Sequence, residues 1–336
     1  MEMFEHVHTA FLLKCSFCIY NRAIIATIIR YLNKERTKTM DLYGWIIYNG
    51  YLKGNKFLDF AQWIQKAAAK QHIQTDIYQN NHLLSFFSAD SMTLLHTKQT
   101  ELPHFVVFTD KDIYLAKQLE FLGVRVFNSA QTIALSDDKI ATYQTLAANG
   151  LPIPRTVVAP KAFQQTDDIN VNDYRDIANQ LGLPMIVKEA FGSFGEQVHL
   201  VSTEKELFAK IQELHGKPFM LQEFISSSYG TDIRLHVVGD AVVASMKRQS
   251  SNDFRANVTA GGTMQKYHPT KQETDLAIAA AKAIGADFAG VDLLFGENKE
   301  PIVCEINSNA HIRNMYNCTG INVADFIMSD IRKKLK

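Results

Sequence analysis

The 336 residues carry 35 Lys plus Arg against 35 Asp plus Glu, with 46% hydrophobic and 21% charged positions. That balance describes a globular chain long enough for two or three domains with their own cores, and zero net charge removes any overall pull toward nucleic acid or an anionic membrane. Four cysteines, at positions 15, 18, 304 and 318, are too few and too uneven for a disulfide framework, so the expected setting is the reducing cytoplasm.

Residues 1–39 read as an N-terminal extension. Residues 10–32 are apolar but interrupted by Lys14, Arg22 and Arg30, too broken for a membrane span. Glu2 and Glu5 stand where a secretory leader would be basic. Arg22 to Arg36 has the make-up of a basic amphipathic helix with a weak surface or partner contact, but a leader of little consequence describes residues 1–39 better. Cys15 and Cys18 form a lone CxxC without a second pair of metal ligands; two apolar cysteines describe it better than a zinc or redox site.

Met40 opens the regular part of the chain. Trp45–Tyr48 is an apolar run closed by Asn49-Gly50, a buried strand and turn. Phe57–Gln71 follows as a helix with Phe57, Phe60, Ala61, Ile64 and Ala68 on one stripe. Phe105–Phe108 is a second buried strand, Asp112–Leu122 a helix stopped by Gly123, and Val124–Phe127 a third strand. Such alternation predicts a small parallel α/β domain over 40–128.

Ser136 is the expected N-cap of a helix with Ile140, Tyr143, Leu146 and Ala147 on one face, stopped by Gly150 and Pro152. Pro160–Asn172 is polar and irregular, a loop. Hairpins then mix with helices. Met185–Lys188, Gln197–Val201 and Phe219–Ile225 read as strands, with a capping box of Thr203 and Glu206 starting a helix between the last two. Ile233–Val238 and Ala241–Arg248 flank Gly239-Asp240 as a hairpin. Thr270 and Glu273 cap a helix that ends at Gly285, and Phe288–Phe295 pairs with Pro301–Asn307.

Three groups of residues carry chemistry. Glu305 and Asn307 lie two apart on one strand and so share a face. If the last hairpin closes symmetrically around Asn298-Lys299, Asp292 lies opposite Glu305. Two carboxylates and an amide oxygen on one face suit magnesium, since acids that face one another need a cation or proton between them; a surface hairpin with incidental acids is the plainer alternative. Phe191–Gly195, after the strand Met185–Lys188, holds Gly192, Ser193 and Gly195, a loop whose N–H groups can approach phosphates. Alone it is a weak signal, since a loop with two glycines is a plain hairpin turn more often than not. Lys188, the one charge ending an apolar strand, adds weight, because a buried lysine needs an anion. Lys139, at the head of its helix, is a second candidate, though by itself a solvated surface lysine describes it better. Arg234, Arg248 and Arg255 could converge on a phosphoryl group or a substrate carboxylate, though each alone could be a surface residue. A P-loop, a dinucleotide-binding GxGxxG, HExxH and GxSxG are all absent, which disfavours the enzyme classes built on them.

In this order the pieces resemble the ATP-grasp fold of the RimK family of glutamate ligases. The resemblance runs through Asn128-Ser129, Ser136–Lys139, Leu151–Thr156, Pro184–Lys188, Gln222–Ile225, Asp232–Arg234, Asp253–Asn257 with Gly261-Gly262, Gly290–Asp292 and Glu305–Asn307. It implies an ATP-grasp domain over 129–335 with a lid at about 151–225, preceded by the α/β domain of 40–128. It further implies adenine-facing Glu223 and Phe224 at a hinge, ribose- and phosphate-side Asp232, Arg255 and Asn257, an ATP-contacting Lys188, and magnesium or manganese on Asp292, Glu305 and Asn307. The activity implied is amide-bond formation through an acyl phosphate, from a carboxylate substrate and an amino-acid amine. The acceptor is a protein or a small molecule, and a homo-oligomer is a compatible assembly. Arg255 is then placed to hold the later oxyanion. After Asn307 the family continues with small residues and proline, whereas this chain reads Ser308-Asn309-Ala310-His311-Ile312-Arg313-Asn314, which leaves the substrate open and makes His311 and Arg313 candidate contacts or ordinary loop residues. A carboxylate kinase and a non-catalytic nucleotide-binding module are the rival uses of the fold.

Overall fold

The computed structural model describes residues 42–95, 101–161, 170, 174–193, 195–256 and 261–336. The extension with Cys15 and Cys18, most of the 160–172 loop, Phe194 and Asn257 lie outside the described residues. The first layer comprises β1 (Tyr43–Tyr48), α1 (Lys56–Lys70), β2 (Gln74–Gln79), a hairpin of β3 (Leu84–Phe87) and β4 (Met92–Leu95), β5 (Phe105–Phe108), α2 (Ile113–Phe121) and β6 (Arg125–Phe127). Four of these strands form a parallel sheet in the order β2-β1-β5-β6. Trp45, Ile46 and Ile47 of β1 and all of β5 are buried, as expected where helices cover both faces of a parallel sheet. Helix α1 buries Phe60, Ala61, Ile64, Ala67 and Ala68 at helical spacing, and Phe57 is only half-buried.

Two short helices follow, α3 (Ala130–Asp137) and α4 (Lys139–Ala148). The expected cap at Ser136 is not the cap. Asp138 starts α4, its carboxylate accepting from Ile140 N and Ala141 N at 2.9 and 3.2 Å. Ser136 instead ends α3, where its hydroxyl donates to Ile306 O and accepts from Ser308 N. Ala147 is exposed, and the buried face of α4 is Lys139, Thr142, Tyr143 and Leu146.

The second layer is antiparallel: β7 (Thr156–Val158), α5 (Arg175–Leu181), β8 (Met185–Glu189), β9 (Val198–Val201), α6 (Glu204–Leu214) and β10 (Phe219–Glu223), with strand order β7-β10-β8-β9. Thr203 caps α6 through Glu206 N, but the Glu206 carboxylate reaches one residue further back, to Ser202 N at 2.7 Å, so the predicted reciprocal box is only half formed. Thr270 and Glu273 make the full box.

The third layer holds β11 (Thr231–Val238), β12 (Ala241–Gln249), β13 (Thr263–Lys266), α7 (Lys271–Ala283), β14 (Phe288–Phe295), β15 (Pro301–Asn307), α8 (Arg313–Thr319) and α9 (Val323–Lys334). Its antiparallel order is β13-β12-β11-β14-β15. One face packs Ile233, Leu235, Val237, Val291, Leu293, Val303 and Ile306 against Leu276, Ala277, Ala280 and Ala281 of α7. Each fully buried Leu, Ile or Val there contributes about 1.5–3 kcal/mol. Strand alternation then sends Asp232, Arg234, His236, Asp292, Glu305 and Asn307 to the opposite face. Among the described residues no helix is long and apolar enough to cross a membrane.

Candidate active site

On that polar face Asp292 pairs directly with Glu305, and Gly290 with Asn307. The hairpin reaches this register differently from the symmetric turn expected. Phe295 to Leu293 pair with Pro301 to Val303, and a bulge leaves Cys304 as an extra residue before Glu305. The bulged carbonyl is held by the buried Tyr143 hydroxyl at 2.5 Å. Asn128, fully buried, fixes the neighbouring backbone: its amide donates to Phe288 O and Ser308 O and accepts from Asp287 N and Phe288 N.

Asp292 is buried between two arginines. Its Oδ1 accepts from Arg234 Nε at 2.6 Å, and its Oδ2 from Arg234 Nη2 at 2.6 Å and Arg248 Nη2 at 2.8 Å. Burial pushes this carboxyl up, but the two guanidinium groups outweigh it and hold it at about 2. Arg248 also grips Asp232 at 2.6 and 2.7 Å. Arg234 and Arg248, expected to face a ligand, are therefore neutralised largely by the protein's own acids.

The set still fits a hard cation. Asp292 Oδ1 has accepted only one bond and keeps a lone pair. The Glu305 side chain is 35% exposed and its one charged neighbour within 4.0 Å is Lys139, while Asn307 makes no side-chain hydrogen bond among the described residues. No three His, Cys, Asp or Glu side chains converge anywhere among the described residues. Two carboxylates and an amide oxygen cannot cage an ion alone, which matches a metal that shares its shell with water and phosphate oxygens.

Facing Glu305 are two buried lysines. Lys188 on β8, 5% exposed, points its Nζ at Tyr143 Oη (3.4 Å) and Gln222 Oε1 (3.3 Å). Burial works against its charge, yet Tyr143, Cys304 and Glu305 outweigh it and hold the proton more firmly than in an ordinary lysine. Lys139, 8% exposed, donates to Gly192 O at 2.8 Å, and its own N–H bonds Ala190 O, so α4 butts onto the loop that leaves β8. Burial lowers the Lys139 pKa, with Lys111 and Lys188 adding to the effect and Glu305 opposing it.

The loop itself needs its glycines. Gly192 has φ 136°, and a Cβ there would lie 2.2 Å from Gln197 Oε1. Gly195 has φ 77°. Lys111 closes the loop from the first layer, bonding Asp137 at 2.6 Å and Ser193 Oγ at 3.4 Å. Arg255 does not join the other two arginines. It pairs with Asp253 and donates to Gly195 O at 2.5 Å, so it belongs to the glycine loop.

At the end of β10, Gln222 Nε2 donates to Thr156 Oγ1, and Glu223 accepts from Arg155 N and Nε at 2.8 and 2.5 Å. Phe224 sits edge-on to Tyr229 and Phe254. His311 and Arg313 are docked onto α1: His311 Nε2 contacts Lys56 O at 2.7 Å, while Arg313 pairs with Asp59 and lies over Trp63. Reading the sequence placed Arg155 and Gln222 only inside the segments Leu151–Thr156 and Gln222–Ile225, without a role of their own, and missed Lys111 and His236. Their only local signal is a polar residue within or just after an apolar strand, which many surface residues share.

Residues 136–331 match the family model described as the RimK-like ATP-grasp domain. A protein of Shewanella oneidensis named probable alpha-L-glutamate ligase 1 is 39% identical over 223 residues, 65% of this chain and 71% of that protein. A probable alpha-L-glutamate ligase of Legionella pneumophila is 37% identical over 225 residues, 66% of this chain and 71% of that one. The ATP-grasp ligase PsnB, solved with a phosphomimetic variant of its minimal precursor, Mg and ADP, superposes with a TM-score of 0.64 at 17% identity, covering 89% of this chain and all of that one. D-alanine–D-alanine ligase of Bacillus anthracis, solved with ATP, gives 0.63 at 13% identity over 88% of this chain and 99% of that one.

Proposed function

The chain belongs to the RimK-like ATP-grasp family, and on that premise we propose that it is an ATP- and magnesium-dependent ligase joining a carboxylate to the amine of an amino acid. One observation carries this reading: an all-oxygen set on β14 and β15 faces two buried lysines whose nearest oxygen partners are uncharged. In this reading residues 40–128 are the domain preceding ATP-grasp, 129–335 the ATP-grasp domain, and 151–225 its lid.

Lys188 and Lys139 bind phosphate oxygens of ATP, and the Gly192–Gly195 backbone covers them. Gln222, Glu223 and Phe224 line the adenine end, with the sugar toward the end of β11. Asp292, Glu305 and Asn307 would hold magnesium, which would supply charge neutralisation to the phosphates when bound. A substrate carboxylate oxygen attacks the γ-phosphorus and the bond to ADP breaks, giving an acyl phosphate. The amine then attacks the acyl carbon, inorganic phosphate leaves, and the nitrogen loses a proton to give the amide. Arg255 stabilises charge on the transferring groups, while Arg234 and Arg248 keep Asp292 and Asp232 in place. Closure of the lid keeps water from the acyl phosphate.

The test is ADP release with magnesium and a panel of carboxylates, with and without each amino acid, followed by mass measurement of the product. Release that needs both partners and yields a product heavier by one amide-linked residue is expected. Full release without any amine means a carboxylate kinase, and no turnover with any pair means a binding module.

A further inference from the structure

Tyr143 is buried on α4, and its hydroxyl meets strands that carry opposite halves of the site. The Oη lies 2.5 Å from Cys304 O on β15, 3.4 Å from Lys188 Nζ on β8 and 3.5 Å from Gln222 Oε1 on β10. A phenol has one proton to give. It goes to the nearest acceptor, the Cys304 carbonyl, and the lone pairs of the same oxygen are left to face the Lys188 ammonium.

The Cys304 carbonyl belongs to the bulge that decides where Glu305 points. Val303 and Ile306 are both core residues although they lie three apart, and strict alternation would bury only one of them. The extra residue at Cys304 absorbs the mismatch, so that Leu293 pairs with Val303 and Asp292 with Glu305. Without it the Val303 register would run on to set Cys304 against Asp292, and Glu305 would turn toward the core. The other half of the site depends on how Lys188 is aimed. Of its three N–H donors, Tyr143 Oη and Gln222 Oε1 take two, at 3.4 and 3.3 Å, and the third makes no hydrogen bond among the described residues. Gln222 is itself anchored, its Nε2 donating to Thr156 Oγ1 at 2.8 Å. Both contacts to the ammonium are long for hydrogen bonds. They steer it without saturating it and leave a donor for an anion.

We propose that Tyr143 is a positioning residue for both halves of the site: its hydroxyl proton pins the Cys304 bulge that presents Glu305 to the metal position, and its lone pairs direct Lys188 toward the phosphates. The proposal rests on the ligase reading and deepens it, since one phenol on α4 then ties the metal-ligand strand to the phosphate lysine. Loss of the hydroxyl leaves the bulge carbonyl without that partner and lets the ammonium turn. Metal and nucleotide binding therefore weaken together.

The experiment titrates manganese, read by its electron spin resonance signal, into full-length protein held in excess over ADP, and separately titrates ADP by calorimetry with a chelator present. Tyr143→Phe, which keeps the ring, should weaken manganese roughly 10–100-fold and metal-free ADP by about threefold or more. Replacing Tyr143 with 4-aminophenylalanine, which returns an N–H donor to the same place, should recover manganese affinity to within about threefold of wild type. Leu146→Val, one turn further along α4 in the core, loses stability without touching the bulge or Lys188 and should keep both affinities within about twofold. If Tyr143→Phe does not fold, the 4-aminophenylalanine protein decides by the same threefold limit. Manganese affinity in Tyr143→Phe within twofold of wild type, no recovery with 4-aminophenylalanine, or an equal loss in Leu146→Val overturns this proposal alone. Failure of the wild-type protein to bind ADP overturns the ligase reading and this one with it.

Discussion

Asp292 and Glu305 are assigned the same job on adjacent strands, but they stand in different electrostatic surroundings, and mutation should separate them. Asp292 is the shared anion of two arginines in the interior. Asp292→Ala leaves Arg234 and Arg248 with Asp232 as their one remaining acid, and removing one partner of a buried ion pair costs about 3–5 kcal/mol. Each kcal/mol moves Tm by roughly 2–4 °C in a chain of a few hundred residues, so Asp292→Ala should melt on the order of 10 °C below wild type. Glu305, 35% exposed and 4.0 Å from its nearest cation, contributes no more than about 1 kcal/mol, and Glu305→Gln should melt within about 3 °C of wild type. Thermal melts with a chelator and no nucleotide isolate these terms from ligand binding. Adding Arg234→Met to Asp292→Ala removes the stranded charge and should recover roughly half of the loss. Both single variants should release no ADP. The reasoning fails if Asp292→Ala melts with wild type, or if the double variant melts below Asp292→Ala.

Lys188→Met should lower nucleotide affinity on the order of 100-fold by losing a charge-assisted phosphate contact, which calorimetry with ADP checks. Gly192→Ala must accommodate φ 136° and a 2.2 Å contact, a strain of about 1–3 kcal/mol that should appear as weakened ADP binding with the Lys139–Gly192 contact disturbed. His236 is held neutral down to about 3, whereas the unfolded chain takes up that proton near 6.5. The folded pKa is the lower one, so its stability contribution is full above 6.5 and fades as pH falls toward 3. Between pH 7 and pH 5 the wild type should lose about 2 kcal/mol on this account, and urea titrations of His236→Phe should show that increment missing.

Much of the third layer was legible because its signals are local. The two-residue period fixes which side chains of β14 and β15 share a face, and apolar neighbours decide which face is core. The Asp292–Glu305 pairing came out as expected even though the symmetric turn behind it did not, since the bulge at Cys304 is set by Tyr143, a contact across 161 positions. β2, Gln-Thr-Asp-Ile-Tyr-Gln, escaped notice because an edge strand can stay polar. α3 carries little amphipathic pattern beyond Ile133 and its neighbours, and the single N-terminal signal was assigned to Ser136 when two caps, Ser129 and Asp138, share the work. At the site, residue types were readable and their partners were not. Nothing in the spacing of Asp232, Arg234, Arg248 and Asp292 distinguishes arginines aimed at a ligand from arginines spent on acids three strands wide.

That distinction changes how the cations divide the work. Each guanidinium of the β11–β12 pair has a carboxylate within 2.8 Å, so a ligand arriving there competes with acids already in place. The lysines differ. Lys139 rests on a backbone carbonyl and Lys188 on a phenol and an amide oxygen; among the described residues Glu305, 4.0 Å from Lys139, is the one carboxylate within ion-pair distance of either. Two buried ammonium groups against one half-exposed acid leave a local positive surplus that water reaches poorly, and such a surplus is tolerated where an anion regularly enters. On the proposed reading Arg234 and Arg248 hold Asp292 in register, and the lysines define where the triphosphate lies. On that same reading the Asp292 carboxylate is set before any nucleotide arrives, the preorganisation that phosphoryl transfer to a carboxylate requires.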